Sequence, residues 1–89
     1  MVSIVIPNYN GERFLKDCME ALRRQTYEDM EVILVDNAST DNSVQLAQKL
    51  YPGIRVVELD DNTGFAYAVN RGIEAAEGEY VLLLSLIHI

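Results

Sequence analysis

Residues 2–11 read Val2-Ser-Ile-Val-Ile-Pro-Asn-Tyr-Asn-Gly11, an apolar run that stops at a proline and gives way to polar residues. The β-branched residues before Pro7 are typical of a strand that is covered on both faces. The turn after the proline presents Tyr9, Asn10 and Glu12 before a helix begins. In open α/β sheets, ligands bind at the carboxyl ends of the strands. This stretch therefore predicts both the class of fold and the place of a site.

A second stretch of the same kind, Val35-Asp-Asn-Ala-Ser-Thr-Asp41, follows the next apolar run. Beyond it, apolar runs and amphipathic stretches keep alternating, which predicts parallel strands joined by right-handed helical crossovers. The predicted strands cover 2–6, 31–35, 54–59 and 80–84. The predicted helices run from 12 to 25, from a cap at Thr40 or Asp41 to Pro52-Gly53, and from 65 to Gly78. Their predicted inward residues are Phe14, Leu15, Cys18 and Leu22, then Val44, Ala47, Leu50 and Tyr51, then Phe65, Ala66, Val69, Ile73 and Ala76.

The predicted fold class is α/β, with an open, mostly parallel sheet. Its natural strand order places the first strand centrally, the second and third to one side and the fourth to the other. The switch point then lies beside residues 7–11. Residues 81–84 have the composition of a buried strand, but residues 85–89 add no turn and no covering helix. We therefore expect an incomplete fold whose apolar sheet edge favours self-association.

Length and composition exclude several classes of protein. The chain has 89 residues, which suffice for one small domain. A net charge of −7 argues against nucleic-acid binding, which needs a basic surface. A single cysteine, Cys18, allows no internal disulfide and is read as a small buried hydrophobe. Neither a signal peptide nor an apolar run long enough to span a bilayer is visible, so we expect a cytoplasmic location.

Two common nucleotide sites are missing from the sequence. The loop after the first strand has a single glycine, whereas a dinucleotide fingerprint needs G-x-G-x-x-G at that place. No P-loop sequence occurs anywhere in the chain. A sugar-phosphate nucleotidyltransferase, a third class that we weigh, would need a glycine-rich, basic loop there, which 7–11 does not provide.

The residues at the first two strand ends can still bind a nucleotide. Asp36 directly follows the second strand, where its carboxylate can accept a hydrogen bond from a base N–H or a ribose hydroxyl. Asn37 can support that carboxylate, and Tyr9 can stack on a base. Each also has a structural interpretation, because Asp and Asn are common turn residues and an aromatic ring can simply pack against its loop.

The third predicted helix adds weaker candidates. Asn62 and Gly64 lead into that helix, whose N-terminus can face phosphate. Asn70 and Arg71 lie within it, and Arg71 is one of few cations available for a diphosphate. The alternatives are a glycine that only supplies a positive φ angle and an arginine that is only a solvated charge.

Taken in order, these motifs resemble the start of a family 2 glycosyltransferase with a GT-A fold, whose first half is a Rossmann-like nucleotide-binding unit. The resemblance extends over residues 2–84. The Gly64-Phe-Ala66 sequence, together with Asn70-Arg-Gly72, is similar to that of a rhamnosyltransferase-like branch of the family. The matching stretches are 2–11, Leu15, Leu22-Arg-Arg-Gln-Thr26, Glu31 to Asp41, Asn62-Thr-Gly-Phe-Ala66, Asn70-Arg-Gly72 and Gly78-Glu-Tyr-Val-Leu-Leu-Leu84.

The resemblance implies inverting transfer of a sugar from a nucleoside-diphosphate-sugar to an acceptor hydroxyl. The acceptor would be a glycan or a lipid-linked molecule in bacterial cell-surface polysaccharide synthesis, at the inner face of the membrane. The residues that would bind the donor fall into two groups. By this resemblance Pro7, Tyr9, Glu12, Asp36 and Asn37 would hold the nucleoside, and Asn62, Gly64, Asn70 and Arg71 would line the wall near the ribose and diphosphate.

The chain departs from the family pattern after the fourth strand. There the family carries an Asn-x-Asp or Asp-x-Asp element that binds a divalent metal, Mg²⁺ or Mn²⁺. Here Ser85, Leu86 and Ile87 stand in that place, and they lack the carboxylates that a hard cation prefers. His88 is the only nearby candidate ligand. No residue of this chain is assigned as the catalytic base, which the family carries further along.

These observations lead to two hypotheses. In the first, residues 1–84 are the N-terminal nucleotide-sugar-binding part of a glycosyltransferase, and 85–89 are a non-matching tail from a truncation or a frame error. This chain is then expected to be inactive by itself. In the second hypothesis, the chain is a non-catalytic α/β stub that binds a nucleotide or a partner protein through its unfinished edge.

Overall fold

The computed structural model of the chain describes residues 1–24, 29–61 and 64–84. Strands and helices alternate along the described part of the chain, as the hydrophobic pattern predicts. The predicted helix end at Gln25, the candidate Asn62 and the tail 85–89 lie outside the described residues. The elements are β1 (Val2–Asn8), α1 (Glu12–Arg23), β2 (Met30–Asp36), α2 (Ser43–Leu50), β3 (Arg55–Glu58), α3 (Phe65–Ala75) and β4 (Tyr80–Leu83).

The four strands form one parallel sheet in the order β3-β2-β1-β4, which confirms the predicted topology. The central strand β1 pairs with β2 along its whole length, so that Val2 lies opposite Met30 and Asn8 lies opposite Asp36. On its other side β1 pairs with β4, from Val2 and Tyr80 onward. Because β1 and β2 end at the same level, the loops that follow them begin side by side.

Two hydrophobic clusters cover the two faces of the sheet. Alternate residues of β1, Ile4 and Ile6, pack against α1 and α2, while Val5 between them belongs to the cluster under α3. This double coverage explains the continuous apolar composition of the central strands. Cys18 is fully buried in the first cluster, as predicted, and burial raises its pKa to about 11.

The predicted inward faces are right for two helices and wrong for the third. In α1 the prediction misses buried Met19 and includes Phe14, which is exposed and stacks with Arg13. The four residues predicted for α2 all pack on the first cluster. In α3, however, the buried residues are the small Ala68 and Gly72. Phe65, Ala66 and Ile73 are exposed, whereas Val69 and Ala76 are half-buried.

Gly72 explains why α3 packs on the sheet with the face that carries its small residues. A Cβ atom at this position would lie 2.4 Å from Val5 Cγ1 and 2.8 Å from Val35 Cγ2. The helix therefore approaches the sheet too closely for any larger residue. A search for large apolar residues at helical spacing selects the opposite side of such a helix.

The fourth strand forms where it was predicted, but it is not buried. All four of its residues are exposed, and Tyr80 retains 68% of its accessible surface. The physical reason is its position: β4 is an edge strand, and the described helices pack over the other strands. Among the described residues, no helix is long and apolar enough to cross a membrane.

A polar cluster ties the elements together at the amino edge of the sheet. Glu31 in β2 accepts hydrogen bonds from the hydroxyl of Ser3 (2.5 Å), the backbone N–H of Glu77 (2.6 Å) and the guanidinium of Arg55 (2.8 Å). The Ser3 hydroxyl in turn accepts the N–H of Gly78 at 2.8 Å. We call these residues the Glu31 cluster. It lies at the end of the sheet opposite the two polar loops.

Candidate functional site

Two loops meet at the carboxyl edge of the sheet. The first loop, residues 9–11, joins β1 to α1, and the second loop, residues 37–42, joins β2 to α2. The sheet ladder continues into the second loop, because the backbone N–H of Asn37 donates to the carbonyl of Asn8 at 2.8 Å. The two loops are therefore fixed relative to each other by the register of β1 and β2.

Asn8 is the centre of this junction. The residue is only 2% exposed, and the two hydrogens of its Nδ2 are shared among three acceptors: Asp36 Oδ1 (2.8 Å), Ser43 Oγ (2.9 Å) and Ser39 Oγ (3.2 Å). Its Oδ1 accepts the N–H of Gly11 at 3.2 Å. One buried amide thus joins both loops and the start of α2. Asn8 is not among the predicted site residues, although a polar residue at the end of a buried strand was an available signal.

Asp36 lies where it was predicted, at the end of β2, but its carboxylate is largely held by its own surroundings. The residue is 5% exposed. Its Oδ1 accepts from Asn8 and from the Ser39 hydroxyl (2.6 Å), and its Oδ2 accepts the Ser39 N–H (3.1 Å). The carboxylate is therefore fixed in one orientation before any ligand binds.

Asn10 joins the second loop to the first through hydrogen bonds. Its backbone has a φ of 51°, and its side-chain oxygen accepts the N–H groups of Thr40 (2.8 Å) and Asp41 (3.4 Å). Its own N–H donates to Ser39 Oγ at 2.9 Å. Ala38, in the second loop, also has a positive φ, 62°. Non-glycine residues in this region of conformational space cluster at functional sites.

Glu12 forms hydrogen bonds with Asp41 and Asn42, which link the start of α1 to the residues before α2. The N–H of Glu12 donates to Asp41 Oδ2 (3.1 Å), and Glu12 Oε1 accepts the N–H of Asn42 (2.9 Å). Asp41 also accepts the N–H and the hydroxyl of Ser43. Burial raises the pKa of Asp41, but these hydrogen bonds outweigh that effect and lower it. Glu12, predicted to line the nucleoside pocket, thus uses one carboxylate oxygen to hold the second loop.

The predicted cap of α2 needs a correction. The helix begins at Ser43, so its N-cap is Asn42 rather than Thr40 or Asp41. The Asn42 side chain makes no capping hydrogen bond. Asp41, one residue earlier, accepts the N–H of Ser43 at 3.0 Å instead. Its other oxygen accepts from Glu12, which explains why this carboxylate turns away from the usual capping geometry.

A third segment reaches the same edge just before α3. Gly64 has a φ of 90°, as the sequence suggested, and its carbonyl accepts Asn37 Nδ2 at 3.4 Å. This contact brings the N-terminus of α3 beside the second loop. Tyr9, in the first loop, is 51% exposed, and Pro7 is half-buried at the strand end.

The Arg71 side chain is paired within its own helix. Its guanidinium contacts Glu74 at 2.9 Å on the exposed surface of α3. Arg71 follows Phe65 by six residues, which is about 9 Å along the helix axis. Asn70 beside it is also exposed. Their assignment to the diphosphate wall stays a prediction.

The described residues do not form a metal site. They contain no group of three or more histidine, cysteine, aspartate or glutamate side chains that could hold an ion. The acidic residues in and beside the two loops instead accept hydrogen bonds from neighbouring N–H and O–H groups; they are Glu12, Asp36 and Asp41. What the edge offers is an exposed aromatic ring, an oriented carboxylate and a helix N-terminus, which together suit a nucleotide.

Comparison with known proteins identifies the class. The profile of glycosyl transferase family 2 matches residues 3–85, and the chain therefore belongs to that family. It is 38% identical to the glycosyltransferase GlyG of Streptococcus pneumoniae over 87 residues. That match spans 94% of this chain and 29% of GlyG.

Solved structures show the same fold. The chain is similar to Staphylococcus aureus TarS (residues 1–349) in complex with UDP-GlcNAc, with a TM-score of 0.89 and 30% identity over 96% of this chain. It is also similar to the mannosyltransferase PcManGT of Pyrobaculum calidifontis, in complex with GDP-Man and Mn²⁺, with a TM-score of 0.84 and 28% identity over 96% of this chain. The chain spans 26% and 27% of those two structures, about a quarter of each.

Proposed function

We propose that residues 1–84 form the nucleoside-diphosphate-binding part of the donor site of a family 2 glycosyltransferase. The observation that carries this proposal is the interlocking of the first and second loops through Asn8 and Asp36 at the carboxyl edge of the sheet. Open α/β sheets bind ligands at this edge, near the point where the strand order reverses. In this chain that point is β1, which lies between β2 and β4.

The proposed roles follow from the chemistry of each group. Tyr9 is exposed and stacks on the base. Asp36 accepts a hydrogen bond from the base or the ribose, supported by Asn37. Gly64 allows the backbone to turn into α3, whose N-terminus carries the partial positive charge that favours phosphate. The binding of UDP-GlcNAc by TarS and of GDP-Man by PcManGT supports a nucleotide-sugar as the donor.

The reaction of the whole protein is proposed on the same basis. We infer inverting transfer of a sugar to an acceptor hydroxyl of a glycan or a lipid-linked molecule, in bacterial cell-surface polysaccharide synthesis. The motif Asn70-Arg-Gly72 supports a rhamnosyltransferase-like specificity. The single, fully buried Cys18 supports a reducing, cytoplasmic compartment, at the inner face of the membrane.

The residues of this chain do not fit the divalent metal that the family implies. PcManGT was solved with Mn²⁺, and hard cations of this kind are bound chiefly by carboxylate oxygens. In this chain the position after β4 carries Ser85, Leu86 and Ile87 instead. For the residues of this chain the proposed role is therefore nucleotide binding, without a catalytic step through a metal.

Titration calorimetry with UDP tests the proposal on the 89-residue chain. Two exposed tyrosines provide a matched pair: Tyr9 lies at the carboxyl edge and Tyr80 at the amino edge of the sheet. Tyr9→Ala is expected to weaken UDP binding about tenfold, because stacking on an aromatic ring is worth about 1–3 kcal/mol per base. Tyr80→Ala is expected to leave it unchanged. Equal losses in both variants, or no binding by the wild type, would contradict the proposal.

The edge strand favours a second candidate function, self-association. β4 exposes Tyr80, Val81, Leu82 and Leu83 and carries no charge, which is the kind of edge that pairs with another strand. The opposite edge is protected from pairing with another strand, since β3 exposes the charged residues Arg55 and Glu58. Sedimentation at several concentrations tests this candidate. A stable dimer that binds no nucleotide would favour it over the donor site, whereas a monomer at all concentrations would exclude it.

A further inference from the structure

The buried amide of Asn8 faces acceptors on one side and a donor on the other. Three oxygen atoms surround its Nδ2 at 2.8–3.2 Å, on Asp36, Ser39 and Ser43. On the opposite branch, its Oδ1 accepts the N–H of Gly11, the residue that precedes α1. The side chain therefore contacts the first loop through an acceptor and the second loop and the start of α2 through donors.

The two serine hydroxyls act as acceptors toward Asn8, because each gives its hydrogen elsewhere. A hydroxyl group has a single hydrogen to donate. Ser39 donates it to Asp36 Oδ1, and Ser43 donates it to Asp41 Oδ1. The group at the Nδ2 position must therefore supply hydrogens to acceptors only. A carboxylate oxygen in its place would add a further acceptor to the three that are already there.

Asparagine is the residue type that meets these requirements at this size. Its amide carries two N–H donors on one branch and an acceptor on the other. Serine carries one donor on a shorter side chain, an ionised aspartate only accepts, and leucine has a similar shape without polar atoms. Burial makes the match important, because an unpaired polar group in a desolvated place is costly. The same burial keeps the Asn8 side chain out of reach of a ligand on the loops.

We propose that Asn8 is a positioning residue of the nucleotide site, which aligns the first and second loops through its amide before a nucleotide binds. The inference rests on the proposed function, since it assumes that a nucleoside diphosphate binds at this edge. Asn8 acts through its neighbours: Tyr9 follows it directly, and the N–H of Asn37 donates to its carbonyl. Loops that are already aligned lose less conformational freedom when the nucleotide binds, which raises the affinity.

Asn8→Asp, which keeps the shape of the side chain, tests the inference by calorimetric titration with UDP. Two carboxyl groups within hydrogen-bond distance repel each other when both are ionised and share a proton at lower pH, so titrations at about pH 5.5 and about pH 8 compare these states. At the higher pH the variant is expected to bind UDP at least about tenfold more weakly than the wild type. At the lower pH the shared proton replaces an amide hydrogen, and the affinity is expected to return to within about threefold of the wild type.

The acidic groups that face Asn8 belong to one network. Asp36, at the end of β2, contacts its amide directly. Asp41 lies one hydrogen bond further, through the hydroxyl of Ser43, and it accepts the N–H of Glu12 at the start of α1. Comparing each variant with the wild type at the same pH cancels the titration of these groups and of the UDP phosphates. What remains is the effect of the changed amide.

Gln48→Glu is the matched control, because it makes the same change of amide to carboxyl on the exposed surface of α2. It is expected to bind UDP like the wild type at both pH values. Unchanged binding by Asn8→Asp at the higher pH, an equal weakening at both pH values, or an equal effect in Gln48→Glu would overturn the inference and leave the proposed function standing. Failure of the wild type to bind UDP would overturn both.

The wild-type chain provides a second test, which holds even if Asn8→Asp does not fold. The side-chain N–H signals of Asn8 in the labelled chain are expected to exchange slowly with solvent before UDP is added, because the amide is buried and paired in the free protein. Rapid exchange that becomes slow only after UDP is added would show that the nucleotide, rather than Asn8, aligns the loops. That result would overturn the inference.

Discussion

At the scale of single residues, the second loop is held in a conformation that its sequence does not favour. Ala38 has a φ of 62°, in the left-handed region, which costs an L-residue roughly 1–2 kcal/mol. The hydrogen bonds that Asn10 makes with Thr40 and Asp41 hold the loop in place. The strained conformation is local to Ala38, and it sets the direction of the backbone that follows Asp36.

Replacing Ala38 by glycine is expected to stabilise the chain. Glycine adopts a positive φ without a steric cost, and this gain exceeds the roughly 0.4–1 kcal/mol of additional entropy lost on folding. We expect the free energy of unfolding to rise by about 0.5–1 kcal/mol, measured by urea denaturation. Ala21→Gly, in the exposed part of α1, is the control and should lower it by up to about 1 kcal/mol. A loss of stability in Ala38→Gly would contradict the strain.

Individual residues could be predicted from the sequence only where their position along the chain determined their place in the fold. Asp36 ends β2 and Tyr9 directly follows β1, and both lie at the predicted edge. The role of Asn8 depends on its register opposite Asp36, which the pattern of one strand does not contain. The engagement of Glu12 with Asn42 depends likewise on the relative position of two helices. Cross-element contacts of this kind need the assembled sheet.

At the scale of elements, the Glu31 cluster connects strands β1, β2 and β3 with the segment that leads into β4. Burial raises the pKa of Glu31, but the hydrogen bonds from Ser3, Glu77 and Arg55 and the charge of Arg55 outweigh burial and hold it at about 2. The ordinary value is 4.5. The ionised carboxylate is thus the form that the folded protein favours.

The sign of the pH dependence follows from this lowered pKa. Because the folded-state pKa lies below the unfolded-state value, Glu31 contributes stability that is fully present above about pH 4.5. That contribution is lost as the pH falls toward 2. Glu31→Gln should lower the free energy of unfolding at pH 7 and reduce its decline between pH 4.5 and 2. Denaturation curves across this range provide the test, and an unchanged slope in the variant would contradict the role of Glu31.

The close contact of α3 with the sheet gives a second prediction at this scale. Gly72→Ala places a Cβ within 2.4 Å of Val5, so the helix must shift. Overpacking costs about 1–3 kcal/mol, which exceeds the gain of roughly 1 kcal/mol in helix propensity, so a net loss of stability is expected. Thermal denaturation measures it. Ile73→Ala, an exposed neighbour, should change stability by about 0.5 kcal/mol or less. A more stable Gly72→Ala variant would show that α3 packs differently.

Helix faces could be predicted where large apolar residues mark the buried side, as in α2. They could not be predicted for α3, because close packing against the sheet places Ala68 and Gly72 inside and leaves Phe65 and Ile73 outside. The size of the side chain, rather than its hydrophobicity, decides the face of that helix.

At the scale of the whole molecule, the strand order and parallel pairing follow from the alternation of elements and the handedness of their connections. The exposure of β4 follows from its place at the sheet edge, since its composition alone indicates a buried strand. Sequence and structure agree that polar residues collect at one edge of the sheet. The Glu31 cluster at the other edge is seen only in the structure. The fold and the meeting of the two loops at one edge were thus predictable, whereas the hydrogen bonds between those loops were not.

We expect the 89-residue chain to transfer no sugar. The described residues provide no cluster of metal-binding side chains, and Ser85, Leu86 and Ile87 stand where the resemblance to the family leads us to expect an acidic motif. Release of UDP from UDP-sugars in the presence of Mn²⁺ measures the activity. Restoring the acidic motif is not expected to rescue it, because no residue here is assigned as the base. Turnover above the buffer control would contradict this prediction.

The central claim is that the first and second loops form a nucleotide site. Amide chemical-shift mapping of the isotopically labelled chain during titration with UDP tests it most directly. We predict that the largest changes fall on residues 9–12 and 36–42, beside the Asn8–Asp36 junction, while the amides of the Glu31 cluster stay unchanged. Changes concentrated at the amino edge or along β4, or no changes at saturating UDP, would contradict the claim.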